Sequence, residues 1–239
     1  MKIAFVIPAR YKSSRFPGKP LKKILGIPML LRTYKQCLKA VGKEDLFVAT
    51  ESQKIINFCK INDIQFCLTS KKCLTGTDRV AEFSKKKKYT HFINIQGDEP
   101  IFNPQDLLEI LKQTKKNPKL VLGGFCKIKS KSDYFSSNIP KIVLDKNNYL
   151  LYMSRASIPY GKQKKFHKSF RQVCIYSYPK KKLNIFYKRK TKLYLEKTED
   201  LELLGFLENN IKVKMIRLSD KSISVDCPSD IKKVENKLR

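Results

Sequence analysis

Three short polar stretches carry residue types that bind phosphate groups or metal ions. The first, Pro8–Lys19, follows an apolar run and contains four basic residues; the second, TGTDR (Thr75–Arg79), opens a helical pattern; the third, QGDEP (Gln96–Pro100), follows another apolar run. In an open α/β sheet, ligands bind beyond the carboxyl ends of the strands. The sequence therefore predicts that all three stretches lie where such a sheet binds its ligand.

The first stretch presents Arg10, Arg15 and Lys19 on one loop that three prolines stiffen. It is not a Walker loop, because that motif needs Ser or Thr after Gly-Lys and Pro20 follows here. Three cations on a stiff loop suit a polyphosphate, whose charge must be neutralised before a nucleophile attacks. The alternative interpretation is a solvated basic loop.

Two aspartates are candidate metal ligands. Asp98 follows a strand-like run and Gly97, and Asp226 in SVDCPSD ends a later one. Mg²⁺ needs only one or two protein carboxylates, together with phosphate oxygens and water. Either aspartate alone is more typical of a helix cap or a turn. Their combination with the basic loop is what favours a Mg²⁺ site.

The formal net charge of +30 raises the alternative of a nucleic-acid-binding protein. Only nine of the 51 basic residues are arginine, the residue that base and phosphate recognition favours. Lysine is spread along the chain and tryptophan is absent, a composition typical of an AT-rich genome. The segment Lys162–Lys192, with twelve basic and no acidic residues, is either a surface for an anionic substrate or membrane or a solvated face.

Cysteine usage and hydropathy indicate the compartment. The seven cysteines include no CxxC pair, which favours buried free thiols in a reducing compartment, and the two histidines form no zinc pattern with them. No apolar run approaches the ~20 residues of a membrane-spanning helix. The run IAFVI is too short for a signal peptide. We expect a soluble cytoplasmic protein without stable membrane insertion.

The first half alternates strand and helix patterns. The predicted strands are Lys2–Ile7, Leu46–Thr50, Ile64–Thr69, His91–Gln96 and Leu120–Ile128. The predicted helices are Pro28–Val41, Ser52–Ile61, Asp78–Lys88 and a helix through Thr114 that Asn103 caps. Such alternation predicts right-handed βαβ units and an α/β fold with a mostly parallel, Rossmann-like sheet flanked by helices.

The second half has shorter connections. Its predicted strands are KIVLD, YLLYMS, RQVCIYSY and IKVKMIRL, and its predicted helices are Leu183–Lys190, Thr198–Asn209 and PSDIKKVENKLR. No linker separates the halves. We therefore expect one domain, 1–239, with a mixed C-terminal subregion that covers the open end of the sheet.

Six motifs carry a resemblance to a known family. They are IPARYKSSRFPGKPL, TGTDR, NIQGDEP, LYMSRASIPY, IYSY and SVDCPSDI. In this order they resemble the motifs of the 3-deoxy-manno-octulosonate cytidylyltransferase (CMP-Kdo synthetase) family. The resemblance implies a nucleotide-diphospho-sugar transferase type of fold and a homodimer. It also implies transfer from CTP to Kdo, with Mg²⁺, giving a CMP-sugar for lipopolysaccharide biosynthesis and pyrophosphate.

The resemblance assigns roles residue by residue, mainly to nucleotide binding in 1–128 and to sugar binding and dimerisation in 129–239. The implied nucleotide-binding residues are Ala9, Arg10, Arg15, Lys19, Thr75, Gly76, Thr77, Arg79 and Gln96. The implied catalytic residues are Arg10, Lys19, Asp98 and Asp226, of which the two aspartates hold the metal. The implied sugar-binding residues are Arg155, Gln172, Tyr176 and Glu202.

The chain departs from the family pattern on the sugar side. Gln172 stands where the family usually has His, and Cys174 where Gly is common. Leu203 and Gly205 replace the Gln and Arg of LEQLR, and the first change would remove a donor and an acceptor at the sugar. These departures leave open 8-amino-3,8-dideoxy-octulosonate or a nonulosonic acid as the substrate in place of Kdo.

Overall fold

A nine-stranded mixed sheet runs through the molecule, beside a separate two-stranded ribbon. The structure, a computed structural model, describes residues 1–12, 16–161, 166 and 168–239. The strands are β1 (Ile3–Ala9), β2 (Lys23–Ile24), β3 (Ile27–Pro28), β4 (Leu46–Thr50), β5 (Phe66–Leu68), β6 (His91–Ile95), β7 (Val121–Lys127), β8 (Lys141–Leu144), β9 (Leu150–Ser154), β10 (Phe170–Pro179) and β11 (Val213–Arg217).

Helices cover both faces of the sheet. They are α1 (Met29–Leu38), α2 (Gln53–Ile61), α3 (Gly76–Lys86), α4 (Pro104–Lys116), α5 (Lys131–Phe135), α6 (Tyr194–Glu199), α7 (Leu204–Glu208) and α8 (Pro228–Leu238). Successive residues of β1 alternate between two apolar cores, one that also holds residues of α3 and α7 and one that also holds residues of α1, α2 and α4. A strand buried on both faces needs this continuous apolar sequence.

The order of the main strands is β11-β7-β10-β6-β1-β4-β5, and all of them run parallel except β10. β8 and β9 extend the sheet as an antiparallel pair beside β10. The predicted mostly parallel α/β sheet is confirmed. The second half, however, does more than cover its end, because β10 lies at its centre and β11 at its edge.

The first-half elements lie within three residues of their predicted ends. Asn103 caps α4 as expected, its side-chain oxygen accepting the N–H of Gln105 at 3.3 Å. Two second-half predictions were wrong. In place of the predicted helix 183–190 the chain forms a 3-10 helix over Lys180–Phe186. The predicted single helix 198–209 is two helices, α6 and α7, because Asp200 adopts a left-handed φ of 52° after α6.

The seven cysteines are free, and four of them are buried: Cys37, Cys59, Cys67 and Cys126. Burial raises the pKa of the Cys59 thiol to about 12 and keeps it protonated. Within the described part of the chain, no helix combines the length and the apolar character needed to span a membrane.

Candidate active site

An open cleft of roughly 940 Å³ lies at the carboxyl ends of β1 and β6. These strands are parallel neighbours, so the segments that follow them emerge at the same edge of the sheet. All three polar stretches contribute to the cleft, through Ala9, Arg10, Lys19, Thr75, Gly76, Arg79, Gln96 and Asp98. The predicted convergence of the stretches is therefore confirmed.

The basic loop returns to the cleft through a glycine turn. Gly18 has a φ of +70°, and its N–H donates to the Tyr11 carbonyl at 3.0 Å. The left-handed conformation costs glycine little, and it leads directly into the 3-10 turn that begins at Lys19. Arg10 lines the cleft and is exposed. Arg15, predicted on the same loop, lies outside the described residues.

Lys19 lies between the two candidate metal ligands. Its Nζ is 2.7 Å from Asp98 Oδ2 and 3.5 Å from Asp226 Oδ1, and the three side chains are mostly buried. Burial by itself lowers the pKa of Lys19, but the charges of the two aspartates outweigh it and raise the pKa. The backbone joins the two acidic segments as well, because the Val225 N–H donates to the Asp98 carbonyl at 2.9 Å.

The donor set of this site is suited to a hard cation. Among the described residues, no group of three or more His, Cys, Asp or Glu side chains has the geometry of a protein-only metal site. Two carboxylates that both contact one ammonium group do provide a common position for positive charge. Such a pair fits Mg²⁺, which commonly takes its remaining ligands from substrate oxygens and water.

Glu99, to which the sequence assigned no role, ties the acidic segments together. Its carboxyl group is fully buried and accepts the Ser222 hydroxyl at 2.7 Å and the Cys174 N–H at 3.4 Å. Burial raises the pKa of Glu99, helped by the nearby charge of Asp98. In the sequence, only its place within the QGDEP motif could have indicated that Glu99 belongs to the site.

The TGTDR stretch forms the N-terminus of α3. Thr75 caps the helix, its hydroxyl accepting the Asp78 N–H at 3.2 Å. At Gly76 an added Cβ would lie 3.1 Å from Glu202 Oε1 and 3.3 Å from Gln96 Nε2, so any larger residue would have to displace these side chains. The helix N-terminus is thereby brought next to Gln96, as a pocket for one ligand requires.

Two members of this stretch face away from open solvent. Thr77 does not line the cleft: its buried hydroxyl contacts Glu202 and lies 3.0 Å from the Tyr178 hydroxyl. Arg79 does line the cleft but is ion-paired with Glu51 at 2.7 Å. Thr77 is therefore placed to support the pocket from behind rather than to touch a ligand.

Glu202 connects the two halves of the site. It lines the cleft, and its two carboxylate oxygens accept the N–H groups of Gly76 and Thr77, each at 2.9 Å. A carboxylate at a helix N-terminus is favoured by the unpaired N–H groups and by the helix dipole. Burial nevertheless raises the pKa of Glu202 above its usual value.

The other predicted sugar-side residues also face the cleft. Arg155 is oriented by its Nε, which donates to the Glu199 carbonyl at 2.8 Å. The Tyr176 hydroxyl donates to Gln172 Oε1 at 3.3 Å, and burial raises the pKa of Tyr176 well above its usual value. A guanidinium, an amide and a neutral phenol thus share one wall, a set that suits an acidic, hydroxylated ligand.

Two of the departures from the family pattern lie where they could not contact a sugar in the cleft. Leu203 is 1% exposed, belongs to the apolar core and does not line the cleft, so the expectation of a lost donor at the sugar was wrong. Beside Gly205, an added Cβ would lie 3.0 Å from both the Glu196 carboxylate and the Phe186 ring. Only Gln172 and Cys174 remain at the cleft as departures.

Comparisons with known proteins agree with this geometry. The sequence profile of the cytidylyltransferase family matches residues 4–216. The mitochondrial 3-deoxy-manno-octulosonate cytidylyltransferase of Arabidopsis thaliana is 36% identical, over 100% of this chain and 83% of the relative. The 3-deoxy-manno-octulosonate cytidylyltransferase of Geotalea daltonii is 34% identical, over 100% of this chain and 99% of the relative.

A solved structure gives the same result in three dimensions. CMP:2-keto-3-deoxy-manno-octonic acid synthetase, in complex with CTP, superposes with a TM-score of 0.90 at 30% identity, covering 100% of this chain and 98% of that chain. The chain therefore belongs to the cytidylyltransferase family. Within it, the full-length relatives assign the chain to the 3-deoxy-manno-octulosonate cytidylyltransferases. This assignment favours an enzyme over the nucleic-acid-binding protein that the net charge alone suggested.

Proposed function

We propose that the chain transfers the CMP group of CTP to Kdo, releasing pyrophosphate and giving CMP-Kdo for lipopolysaccharide biosynthesis. The observation that carries the proposal is the meeting of Lys19, Asp98 and Asp226 beside the N-terminus of α3 in one cleft. One cation and two carboxylates at a single point can serve a triphosphate and its metal together. The names and full-length similarity of the relatives support the same reaction.

On the nucleotide side, Arg10 and Lys19 bind the triphosphate and stabilise the charge that develops on the departing pyrophosphate. Arg15 has the same role in this proposal. Gln96, whose amide both donates and accepts, contacts the cytosine edge, with Thr75 and Gly76 beside it. The small Ala9 side chain leaves room for the nucleotide to approach the strand end.

Asp98 and Asp226 would hold Mg²⁺. When bound, the ion would supply charge neutralisation and a lower pKa for the attacking sugar hydroxyl. On the sugar side, Arg155 pairs with the carboxylate of the acid, and Gln172, Tyr176 and Glu202 orient its hydroxyl groups. The result is that two anionic substrates are brought together without mutual repulsion.

We propose further that the enzyme works in the cytoplasm as a homodimer. The seven free cysteines support a reducing compartment. Exposed apolar side chains on the second half, including Leu151, Tyr160 and Tyr194, support a subunit contact there. Light scattering behind a sizing column should give twice the 27.8 kDa chain mass, and a single-chain mass would contradict the dimer.

Pyrophosphate release tests the reaction and the sugar at once. The assay offers CTP and Mg²⁺ with Kdo, with its 8-amino analogue and with a nonulosonic acid, and UTP replaces CTP as the nucleotide control. We expect Kdo and CTP to give the highest kcat/KM. The 8-amino sugar is the second candidate, because Gln172, which stands where the family usually has His, lines the cleft. Faster turnover of the 8-amino sugar would reassign the substrate, and no turnover with any acid would refute the proposal.

A further inference from the structure

Arg189 belongs to the basic segment 162–192, yet its side chain is enclosed by two carboxylates. Its Nε and Nη2 donate to the two oxygens of Asp78 at 2.6 and 2.8 Å, and Nη2 also donates to Glu196 Oε1 at 2.6 Å. The exposed fractions of the Arg189, Asp78 and Glu196 side chains are 12%, 4% and 0%. The guanidinium also lies 4.3 Å above the Phe186 ring. A solvated basic face would not hold an arginine in this way.

The network leads from Arg189 to the cleft through one side chain. Asp78 lies in the first turn of α3, and its carboxylate accepts the Thr75 hydroxyl while its N–H donates back to Thr75 Oγ1. Thr75 and Gly76 line the cleft, whereas Asp78 and Arg189 do not. The orientation of Thr75 therefore depends on a carboxylate that Arg189 holds by both of its oxygens.

We propose that Arg189 is a positioning residue for nucleotide binding, and this inference rests on the proposed function. Glu202 holds the N-terminus of α3 through its backbone, and Arg189 holds it through Asp78, so the helix start is fixed from two directions. A planar, bidentate guanidinium fixes a carboxylate in orientation as well as in position, which the point charge of a lysine does not. The fixed Thr75 and Gly76 then meet the nucleotide without reorganisation.

Arg189→Lys tests the inference, because it keeps the charge that the two buried carboxylates need but loses the bidentate geometry. The matched control is Lys190→Met at an exposed neighbouring position. Binding of CTP with Mg²⁺ is measured by titration calorimetry, and KM for each substrate and kcat are measured separately. We expect the Kd and KM for CTP to rise about tenfold. We expect kcat and the KM for the acidic sugar to stay within about twofold, and the control to match the wild type.

The outcomes separate this inference from the function it rests on. Wild-type protein that fails to bind CTP would overturn both. Wild-type binding with unchanged CTP affinity in Arg189→Lys would overturn the inference alone, as would a fall in kcat or melting temperature without a change in CTP affinity. If Arg189→Lys lowers CTP affinity, the double variant Arg189→Lys/Asp78→Asn should lose less affinity than the sum of the losses in the two single variants. The reason is that both substitutions act through one contact. Full additivity would contradict the path through Asp78.

Discussion

Lys19 Nζ lies 2.7 Å from Asp98 Oδ2, although the two residues are 79 positions apart in the chain. The contact joins the loop after β1 to the loop after β6, and both strands end at the same edge of the sheet. Because both loops start from that edge, two oppositely charged groups lie within reach of one ligand. Their pairing also keeps Asp98 next to a cation while the side chain is largely out of water.

Asp98→Ala should lower kcat/KM at least about 100-fold, because it removes one of two carboxylates proposed to hold the metal. The fold should survive, since the backbone contact from Val225 to residue 98 does not involve the side chain. Steady-state pyrophosphate release and a thermal melt measure the two effects, and the exposed Glu44→Ala serves as the control. Unchanged activity in Asp98→Ala would rule out the metal role.

Ser222→Ala should destabilise the protein by about 1–3 kcal/mol, because it leaves a buried oxygen of Glu99 without its hydroxyl partner. The segment carrying Asp226 would lose one of its attachments, so activity should fall as well. Urea unfolding measures the loss of stability. Ser137→Ala removes the same hydroxyl from an exposed side chain and should change stability by less than about 0.5 kcal/mol. Equal effects of the two substitutions would show that Glu99 does not need Ser222.

Asp230 should make stability depend on pH in the acid range. Burial by itself raises its pKa, but hydrogen bonds from Lys233, Cys227 and the Asp226 backbone outweigh it and lower the pKa from 3.8 to about 2. A group with a depressed folded-state pKa stabilises the protein above its unfolded pKa, here by about 2 kcal/mol, and loses that effect as the pH falls toward 2.

Asp230→Asn is therefore expected to be less stable than the wild type at pH 7. The gap between the unfolding free energies of the two proteins should narrow between about pH 4 and pH 2. Chemical unfolding at a series of pH values measures this gap. Ser137→Ala is the control, because it removes no titratable group and Ser137 is exposed, so its gap should not vary in this way. A gap of constant size for Asp230→Asn would refute the assignment.

The sequence predicted the cleft well because strand ends and polar motifs are local features. A buried strand followed by Gly97 and Asp98 fixes both where the strand stops and what it presents to a ligand. Thr75 was not predicted as a cap, because the helix was expected to begin at Asp78, whereas α3 begins at Gly76 with Thr75 as its N-cap. Parallel pairing then brings separate strand ends together without further information.

Contacts between distant segments were not readable in the same way. Leu203 stands next to Glu202 in sequence, yet one faces the core and the other the cleft, because the chain turns there into α7, which begins at Leu204. In the sequence, Arg189 is one more basic residue in a lysine-rich segment, and only the fold shows that it faces Asp78. Side-chain partners more than 100 positions apart depend on tertiary packing, which periodicity does not encode.

The antiparallel strand β10 separates β6 from β7 in the sheet but follows both of them in the chain. Its register pairs Ile175 with Ile95 on one side and Val173 with Gly124 on the other. During synthesis, β6 and β7 therefore leave the ribosome several seconds before their common neighbour, at about 5–20 residues per second. Until β10 inserts, both present unpaired edges that can attract another chain. The nascent first half thus depends on the second for protection from aggregation, and the cleft is completed among the last parts of the molecule.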